Sequence, residues 1–150
     1  MEEPRASAVP AEALRGPLRL LEAELRAGEP LPGEFVEALA RAVRAGEADV
    51  ISARDPHSGE TIGAALVYYR LNLASGDRFA SFEELHVAPG SRGRGTGRAL
   101  LVEVERRCSE KGISYLEAQI IAESVPFFLA AGYEPEPDLQ VLSRSIAFNH

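Results

Sequence analysis

The chain has 150 residues, of which 45% are hydrophobic and 26% charged, and its formal net charge is −7. This length and composition suit one globular domain with a sizeable core and exclude a chain that is disordered throughout. The single cysteine excludes a disulfide framework and a multi-cysteine zinc site, and the negative charge disfavours a general nucleic-acid binder.

No membrane or export segment is visible in the sequence. The longest apolar stretch, Ile62–Tyr69, is too short to cross a bilayer. The first residues, MEEPRAS, carry two acids and no apolar core follows them, as would follow in a secretory signal. We therefore expect a cytoplasmic protein that does not bind membranes.

Two amphipathic helices are predicted in the first third of the chain. The apolar residues of the first recur at helical spacing: Leu14, Leu18, Leu21 and Leu25. Gly28 and Pro30 end this pattern, and a second helix follows Gly33 and ends at Gly46. We expect residues 1–13 to form an N-terminal tail and residues 14–150 to form a single domain.

Three strands are predicted next. Asp49–Arg54 and Thr61–Leu73 flank a turn and form a hairpin, and Phe79–Val87 is the third strand. His57 lies in the turn, but no second ligand stands at a suitable spacing, so we predict no metal site.

The rest of the chain alternates helices and strands. We predict a helix at Thr96–Lys111, a strand at Ile113–Ile121, a short helix at Ser124–Ala131 and a last strand at Leu139–Phe148. Cys108 continues the apolar stripe of the longer helix, which indicates a buried structural thiol. The element order predicts a mixed α/β fold with a crossover helix.

A glycine- and arginine-rich loop between the third strand and the long helix carries the clearest functional signal. Between Ala88 and Val102 there are three arginines and no acid, in a protein that is acidic overall. Glycines allow successive N–H groups to point into one concavity, and the helix N-terminus adds partial positive charge there. These residues, in this order, predict a cradle for a phosphate or pyrophosphate.

Three alternatives for this loop differ in their fit. A Walker A loop requires a lysine after the glycines, and none is present. A dinucleotide fingerprint requires a small residue where Arg98 stands, and too little chain follows for that fold, although Glu117 lies at the spacing of its ribose-binding acid. A glycine-rich turn with solvated arginines is the remaining, non-functional alternative.

Two motifs resemble signatures of the GNAT superfamily of N-acyltransferases. Val87-x-Pro89 followed by Arg92-x-x-Gly95-x-Gly97 resembles its acyl-CoA-binding signature. The segment from Pro126 to Tyr133, PFFLAAGY, resembles the second signature, and the match is specific over roughly residues 49–148. The resemblance implies a central mixed sheet with helices on both faces.

The resemblance also implies where acetyl-CoA binds. The pantetheine arm would bond the backbone of the third strand, the loop amides and arginines would hold the pyrophosphate, and the short helix (including Val125) would line the far side. The residues expected to contact acetyl-CoA are Leu85, His86, Val87, Arg92, Gly93, Arg94, Gly95, Thr96, Gly97, Arg98, Ser124 and Phe128.

Acyl transfer to an amine requires removal of a proton, so a carboxylate near the acceptor is useful. Glu83 is the first candidate base, because the period of two puts it on the strand face of Leu85 and Val87. The sequence there also resembles the Glu-Asp strand of spermidine/spermine acetyltransferases. Glu84 would face the other side unless a bulge rotates it, and Glu117 resembles the base position of ribosomal-protein N-acetyltransferases.

The predicted function is acetyl transfer from acetyl-CoA to a small primary amine, with a polyamine-like amine as the first expectation. One departure from the family supports an alternative, an acyl-CoA-binding module without turnover: Phe128 stands where the family usually has the tyrosine that protonates the leaving thiolate. The resemblance also implies a homodimer, with the last strand and the helix from Leu14 as candidate contacts.

Overall fold

A five-stranded sheet organises the first of two compact units in the computed structural model, which describes residues 3–147. The first unit extends to Gln119 and the second begins at Ile120. The strands, in chain order and in sheet order, are β1 (Arg5–Ala8), β2 (Ala48–Arg54), β3 (Thr61–Asn72), β4 (Asp77–Val87) and β5 (Leu116–Ala118). Neighbouring strands are antiparallel except β4 and β5, which are parallel.

Three helices of the first unit cover the two faces of this sheet, and one short helix lies in the second unit. The helices are α1 (Arg15–Arg26), α2 (Gly33–Arg44), α3 (Thr96–Glu110) and, in the second unit, α4 (Val125–Ala130). Since α3 connects β4 to β5, it is the crossover that a parallel pair requires. Among residues 3–147, no helix has the length and apolar character needed to cross a membrane.

The sheet faces are assigned by the strand period of two. Val50 and Ala64 belong to the buried cluster formed with the leucines of α1 and α2. Gly63 points to the other face, where a Cβ atom would lie 2.9 Å from Cγ2 of Thr96 and 3.0 Å from Cδ1 of Leu100. The missing side chain of Gly63 therefore allows the start of α3 to pack closely on the sheet.

A buried polar cluster fixes the other end of α3 to the sheet. Arg107 donates from Nε to Oδ2 of Asp49 at 3.0 Å and from Nη2 to Oδ1 at 3.2 Å, and the Tyr69 hydroxyl donates to Oδ2 at 2.5 Å. Burial, and then the bond to Asp49, raise the pKa of Tyr69, so its hydroxyl stays a neutral donor. Each polar group of this cluster thus has a partner in the fold.

The predicted mixed α/β fold is confirmed, with α1, α2, α3 and the β2–β3 hairpin close to their predicted bounds. The expectation of a tail over residues 1–13 is wrong. Arg5–Ala8 forms β1, which pairs with β2, and a 3-10 turn follows at Ala11–Ala13. The segment RASA lacks the alternation of apolar and polar residues that indicates a strand. It forms a strand because its backbone pairs with the edge of β2. A single domain over residues 14–150 stays a prediction.

Two other strand predictions were too long or wrong. The segment Ile113–Ile121 contains only the three-residue strand β5. Residues 139–147 of the predicted last strand form no strand, and Phe148 lies outside the described residues. Alternating apolar residues indicate an extended segment, but a strand also needs a neighbouring backbone to pair with.

We expect Asp49→Ala to lower the free energy of unfolding by about 2–4 kcal/mol, because it leaves the partly buried Arg107 and the buried Tyr69 hydroxyl without their acceptor. Urea denaturation measures the change. Glu37→Ala, at an exposed acid of α2, is the control and should stay within about 0.5 kcal/mol of the wild type. Equal effects of the two substitutions would contradict the role given to the cluster.

Candidate functional site

The last five residues of β4 have one open edge. Pairing with β5 is limited to Ala80, Ser81 and Phe82, while pairing with β3 continues to Val87. Ala88 donates its N–H to the carbonyl of Ile62 at the start of β3. Along a strand, successive residues direct their backbone N–H and C=O groups to opposite sides, so those of His86 also point toward β3, and those of Leu85 and Val87 point away from it. Within the described sheet, no strand pairs with Leu85 and Val87 on that side.

A β-bulge at Glu83 determines which way the nearby side chains point. The register pairs Val67 with Phe82 but Leu66 with Glu84, so Glu83 is the extra residue. Glu84 therefore shares the face of Leu66, toward α1 and α2. Leu85 and Val87 pair with Ala65 and Gly63 and share the face toward α3. The prediction that Glu83 shares a face with Leu85 and Val87 is wrong, because the bulge breaks the period of two.

The neighbouring carboxylates Glu83 and Glu84 have different partners. Oε1 of Glu83 accepts bonds from Nη2 of Arg70 at 2.8 Å and from the Ser81 hydroxyl at 3.1 Å. Oε1 of Glu84 lies 2.8 Å from Nε2 of His86. Arg70 offsets the charge of Glu83, whereas Glu84 has a histidine beside it that can orient its carboxylate.

Glu117, the other candidate base, lies on β5 opposite Ser81 in the parallel register. Ser81 in turn bonds Glu83. The structure therefore brings Glu83 and Glu117 close to Ser81, where the pairing of β4 with β5 ends, and Glu84 follows in the open part of β4.

The glycine-rich loop leads into α3, whose first residue, Thr96, is fixed by a hydrogen bond. Gly93 and Gly95 adopt φ values of 77° and 79°, in the left-handed region that favours glycine. The buried Thr96 donates its hydroxyl to the carbonyl of Ser91 at 3.3 Å, which closes the loop. The first backbone bond of α3 runs from Ala99 to Gly95, so the amides of Thr96, Gly97 and Arg98 lie at its positive end and face out of the helix.

The three loop arginines are held differently. Arg92 bonds the carbonyl of Val87 through Nε at 3.3 Å and lies 3.9 Å from Glu24 of α1. Arg94 lies 3.5 Å from Oδ2 of Asp55, in the β2–β3 turn. Arg98 is exposed. The arginines therefore surround the helix start from different sides, and two of them also fix the loop to neighbouring elements.

Asp55 acts as an anchor for this side of the loop. Its Oδ1 accepts the amides of His57 and Ser58 at 2.8 and 3.1 Å. Those two backbone bonds, followed by the charge of Arg94, lower the pKa of Asp55. The sequence indicated a turn here but gave no signal that its aspartate meets Arg94, 39 residues further along the chain.

A cavity of about 140 Å³ opens between α1, α2 and the sheet, beside Glu84. Its helical side is apolar and consists of Leu18, Leu21, Leu25, Leu31, Phe35 and Leu39. Val50 and Leu66 form the strand side, and the charged lining residues are Glu22, Arg26 and Glu84. The helical spacing of the leucines predicted core positions. The space between them depends on how the two helices pack against the sheet.

The second unit holds the short helix α4 with the remaining predicted cofactor residues. Ser124 directly precedes α4, and the Phe128 ring packs edge to face against Phe127 and Tyr133, with ring centroids 5.3 and 5.2 Å apart. The second motif thus forms an aromatic cluster within its own unit.

The remaining reactive groups are the single cysteine and side chains that bind metals. Cys108 is buried, and burial raises the pKa of its thiol, which keeps it protonated and unreactive at neutral pH. In the described range 3–147, no group of three or more His, Cys, Asp or Glu side chains is placed to hold a metal ion.

Comparison with protein families gives a match over most of the chain. Residues 28–148 match the model described as "Acetyltransferase (GNAT) domain". No curated protein sequence matches the chain at a significant level.

Many solved structures have a similar fold. An acetyltransferase from Trypanosoma brucei is 21% identical with a TM-score of 0.77, covering 95% of this chain and 100% of that one. An aminoglycoside acetyltransferase from an uncultured soil metagenomic sample, in complex with sisomicin, is 18% identical (TM-score 0.75; 97% of each chain). Glucosamine-6-phosphate N-acetyltransferase from Arabidopsis thaliana is 14% identical (TM-score 0.76; 99% and 100%).

We expect Gly95→Ala to lower the free energy of unfolding by about 1 kcal/mol, because alanine is strained at a φ of 79°. Gly90→Ala is the matched control, since Gly90 lacks a positive φ and a Cβ there would meet no atom within 4 Å. Urea denaturation of both variants measures the difference. If Gly95→Ala proves as stable as Gly90→Ala, the loop conformation described above is wrong.

Proposed function

The chain belongs to the GNAT acetyltransferase family, and on that premise we propose that it transfers an acetyl group from acetyl-CoA to the nitrogen of a primary amine. The observation that carries this proposal is the open edge of β4 directly beside the glycine-rich loop. The two features together offer backbone donors for an extended polar chain and a positive helix end for its phosphates.

The residues of the first unit fit acetyl-CoA. The amides of Leu85 and Val87 have the orientation needed to bond an extended pantetheine arm, as an added strand would. Beyond Val87, the amides of residues 96–98 and the nearby arginines suit a pyrophosphate. Acetyl-CoA, when bound, supplies the activated acyl group. Ser124 and Phe128 of the second unit stay proposed contacts on the strength of the resemblance.

A base is needed because a free alkylammonium ion with a pKa near 10.4 is neutral in only about one molecule in two thousand at neutral pH. We assign this role to Glu84. Its carboxylate faces the cavity between α1, α2 and the sheet, adjoins the open edge at Leu85, and is bonded to His86. Glu83 is less suited, because the guanidinium of Arg70 and the Ser81 hydroxyl both bond its Oε1 and Arg70 offsets its charge.

The proposed reaction is a direct transfer. The amine nitrogen forms a bond to the thioester carbon, the carbon–sulfur bond breaks, and the proton lost by nitrogen goes to Glu84. An amide N–H of the open β4 edge donates to the carbonyl oxygen as negative charge develops on it. A thiol pKa of about 8.5 makes the thiolate a stable leaving group, so a phenylalanine at position 128 is compatible with turnover.

The proposal is tested by measuring thiol release from acetyl-CoA in the presence of primary amines: polyamines, amino acids, aminoglycosides, arylalkylamines and peptides. We expect release that depends on the amine, because the amine is the nucleophile. A blank without amine corrects for hydrolysis, and the buried Cys108 adds little background. Acetyl-CoA binding without release from any amine would favour the binding module instead.

We expect Glu84→Gln to lower kcat about 100-fold at pH 7, since general bases contribute roughly 10²–10⁴. The variant should recover activity as the pH rises toward 10, because the fraction of neutral amine then rises tenfold per unit. Asp77→Asn, at the exposed far end of β4, is the control and should leave kcat unchanged. The measurement is the pH–rate profile.

The same profile distinguishes the other candidate bases. If Glu83→Gln or Glu117→Gln shows the large loss and the pH-dependent recovery while Glu84→Gln does not, the base is that residue and the assignment of Glu84 is wrong. A loss of the same size with an unchanged profile in all three variants would indicate structural roles only.

A small cationic amine as acceptor, a homodimer and a cytoplasmic location remain parts of the proposal. The exposed apolar side chains of the C-terminal segment support a contact between two copies there: Leu139, Val141, Leu142 and Ile146. The partly exposed carboxylate of Glu84 supports a cationic acceptor.

A further inference from the structure

We propose that the acceptor is a primary amine attached to one apolar group about the size of an aromatic ring, which occupies the cavity between α1, α2 and the sheet. The inference rests on the proposed acetyl transfer and specifies its acceptor. In this arrangement the ring lies among the leucines of α1 and α2, and the ammonium group lies at Glu84.

The size of the cavity suits one ring. It measures about 140 Å³. An engineered protein cavity of about 150 Å³ with a lining of leucine, isoleucine and phenylalanine stays dry and binds benzene. A benzene ring or a branched alkyl chain of similar volume therefore fits, whereas an aminoglycoside is several times too large.

The cavity is also accessible at an apolar rim. Leu25 and Phe35 line it and yet are 50% and 44% exposed. Large apolar side chains that are half exposed at the mouth of an apolar cavity gain contacts when an apolar ligand covers them. An entering ring would thus contact Phe35 first and the buried leucines afterwards.

The charged lining residues leave one place for a cation. Glu22 accepts the amide of Leu31 at 2.7 Å, and Arg26 donates to the carbonyls of Glu29 and Pro30. Glu84 has His86 as its partner and is the lining carboxylate next to the open edge of β4. An ammonium group at Glu84 is therefore close to the backbone proposed to hold the thioester.

This lining argues against the polyamine expected from the sequence. A polyamine carries further ammonium groups, and the rest of its chain would bring at least one of them among leucines or toward the cationic Arg26. Burying such a charge without a partner is strongly unfavourable. A monoamine with an apolar body leaves its one charge at Glu84 and buries the remainder.

The test compares three amines with the wild-type protein: 2-phenylethylamine, ethylamine and spermidine. We expect kcat/KM for 2-phenylethylamine to exceed that of both others at least tenfold, because burial of a ring adds binding that the others lack. Isothermal calorimetry with 2-phenylethylamine gives a second readout that requires no turnover.

Two substitutions at the rim test the location. Phe35→Ala should raise KM for 2-phenylethylamine about fivefold or more and leave ethylamine within twofold, and Leu25→Trp should do the same by narrowing the mouth. Both positions are half exposed, so the fold should tolerate the changes. Val102→Ala is the matched control, at a 53% exposed valine of α3 on the opposite side of the sheet, and should change neither amine.

The outcomes separate this inference from the proposed function. Turnover of ethylamine or spermidine as efficient as that of 2-phenylethylamine would overturn the inference and support acetyl transfer. No thiol release from any amine would overturn acetyl transfer. In that case, calorimetric binding of 2-phenylethylamine that Phe35→Ala weakens would still support an aromatic amine as the cavity ligand, and absence of binding would overturn it.

Discussion

The end of the pairing between β4 and β5 at Phe82 is the constraint on which the candidate site depends. Over Ala80–Phe82, β4 has strand partners on both sides, and beyond Phe82 one row of its backbone groups has no strand to bond. Buried or half-buried backbone groups require partners, so an open edge inside a fold favours an extended ligand. The bulge at Glu83 lies immediately after the last paired residue and changes the direction of the side chains there.

The two faces of β4 pack against different elements of the fold. On the α3 side, Gly63 allows Thr96 to lie against the sheet, and the Asp49–Arg107 pair fixes the far end of the same helix. The helix start is thereby held next to the open edge. On the other side, α1 and α2 leave a cavity that ends at Glu84. Backbone donors, a positive helix end and a carboxylate thus lie near the end of β4.

Several parts of this arrangement were predictable from the sequence because they depend on local patterns. Leucines at helical spacing predicted α1, and the glycine-rich loop before α3 was readable from its glycines and arginines. The side on which Glu83 and Glu84 lie was not predictable, since a bulge depends on the register between β3 and β4 and not on either strand alone. For the same reason the short strand Arg5–Ala8 was missed, as its pairing is provided by β2.

The sequence by itself determined the mixed α/β fold, the family resemblance and the position of the glycine- and arginine-rich loop, because periodicity and motif spacing are properties of consecutive residues. Only the tertiary structure decided that Glu84 lines the cavity, that Arg94 lies beside Asp55, and that α1 and α2 enclose a space of about 140 Å³. These features join residues tens of positions apart. Their geometry follows from strand register and helix packing, which a linear pattern does not specify.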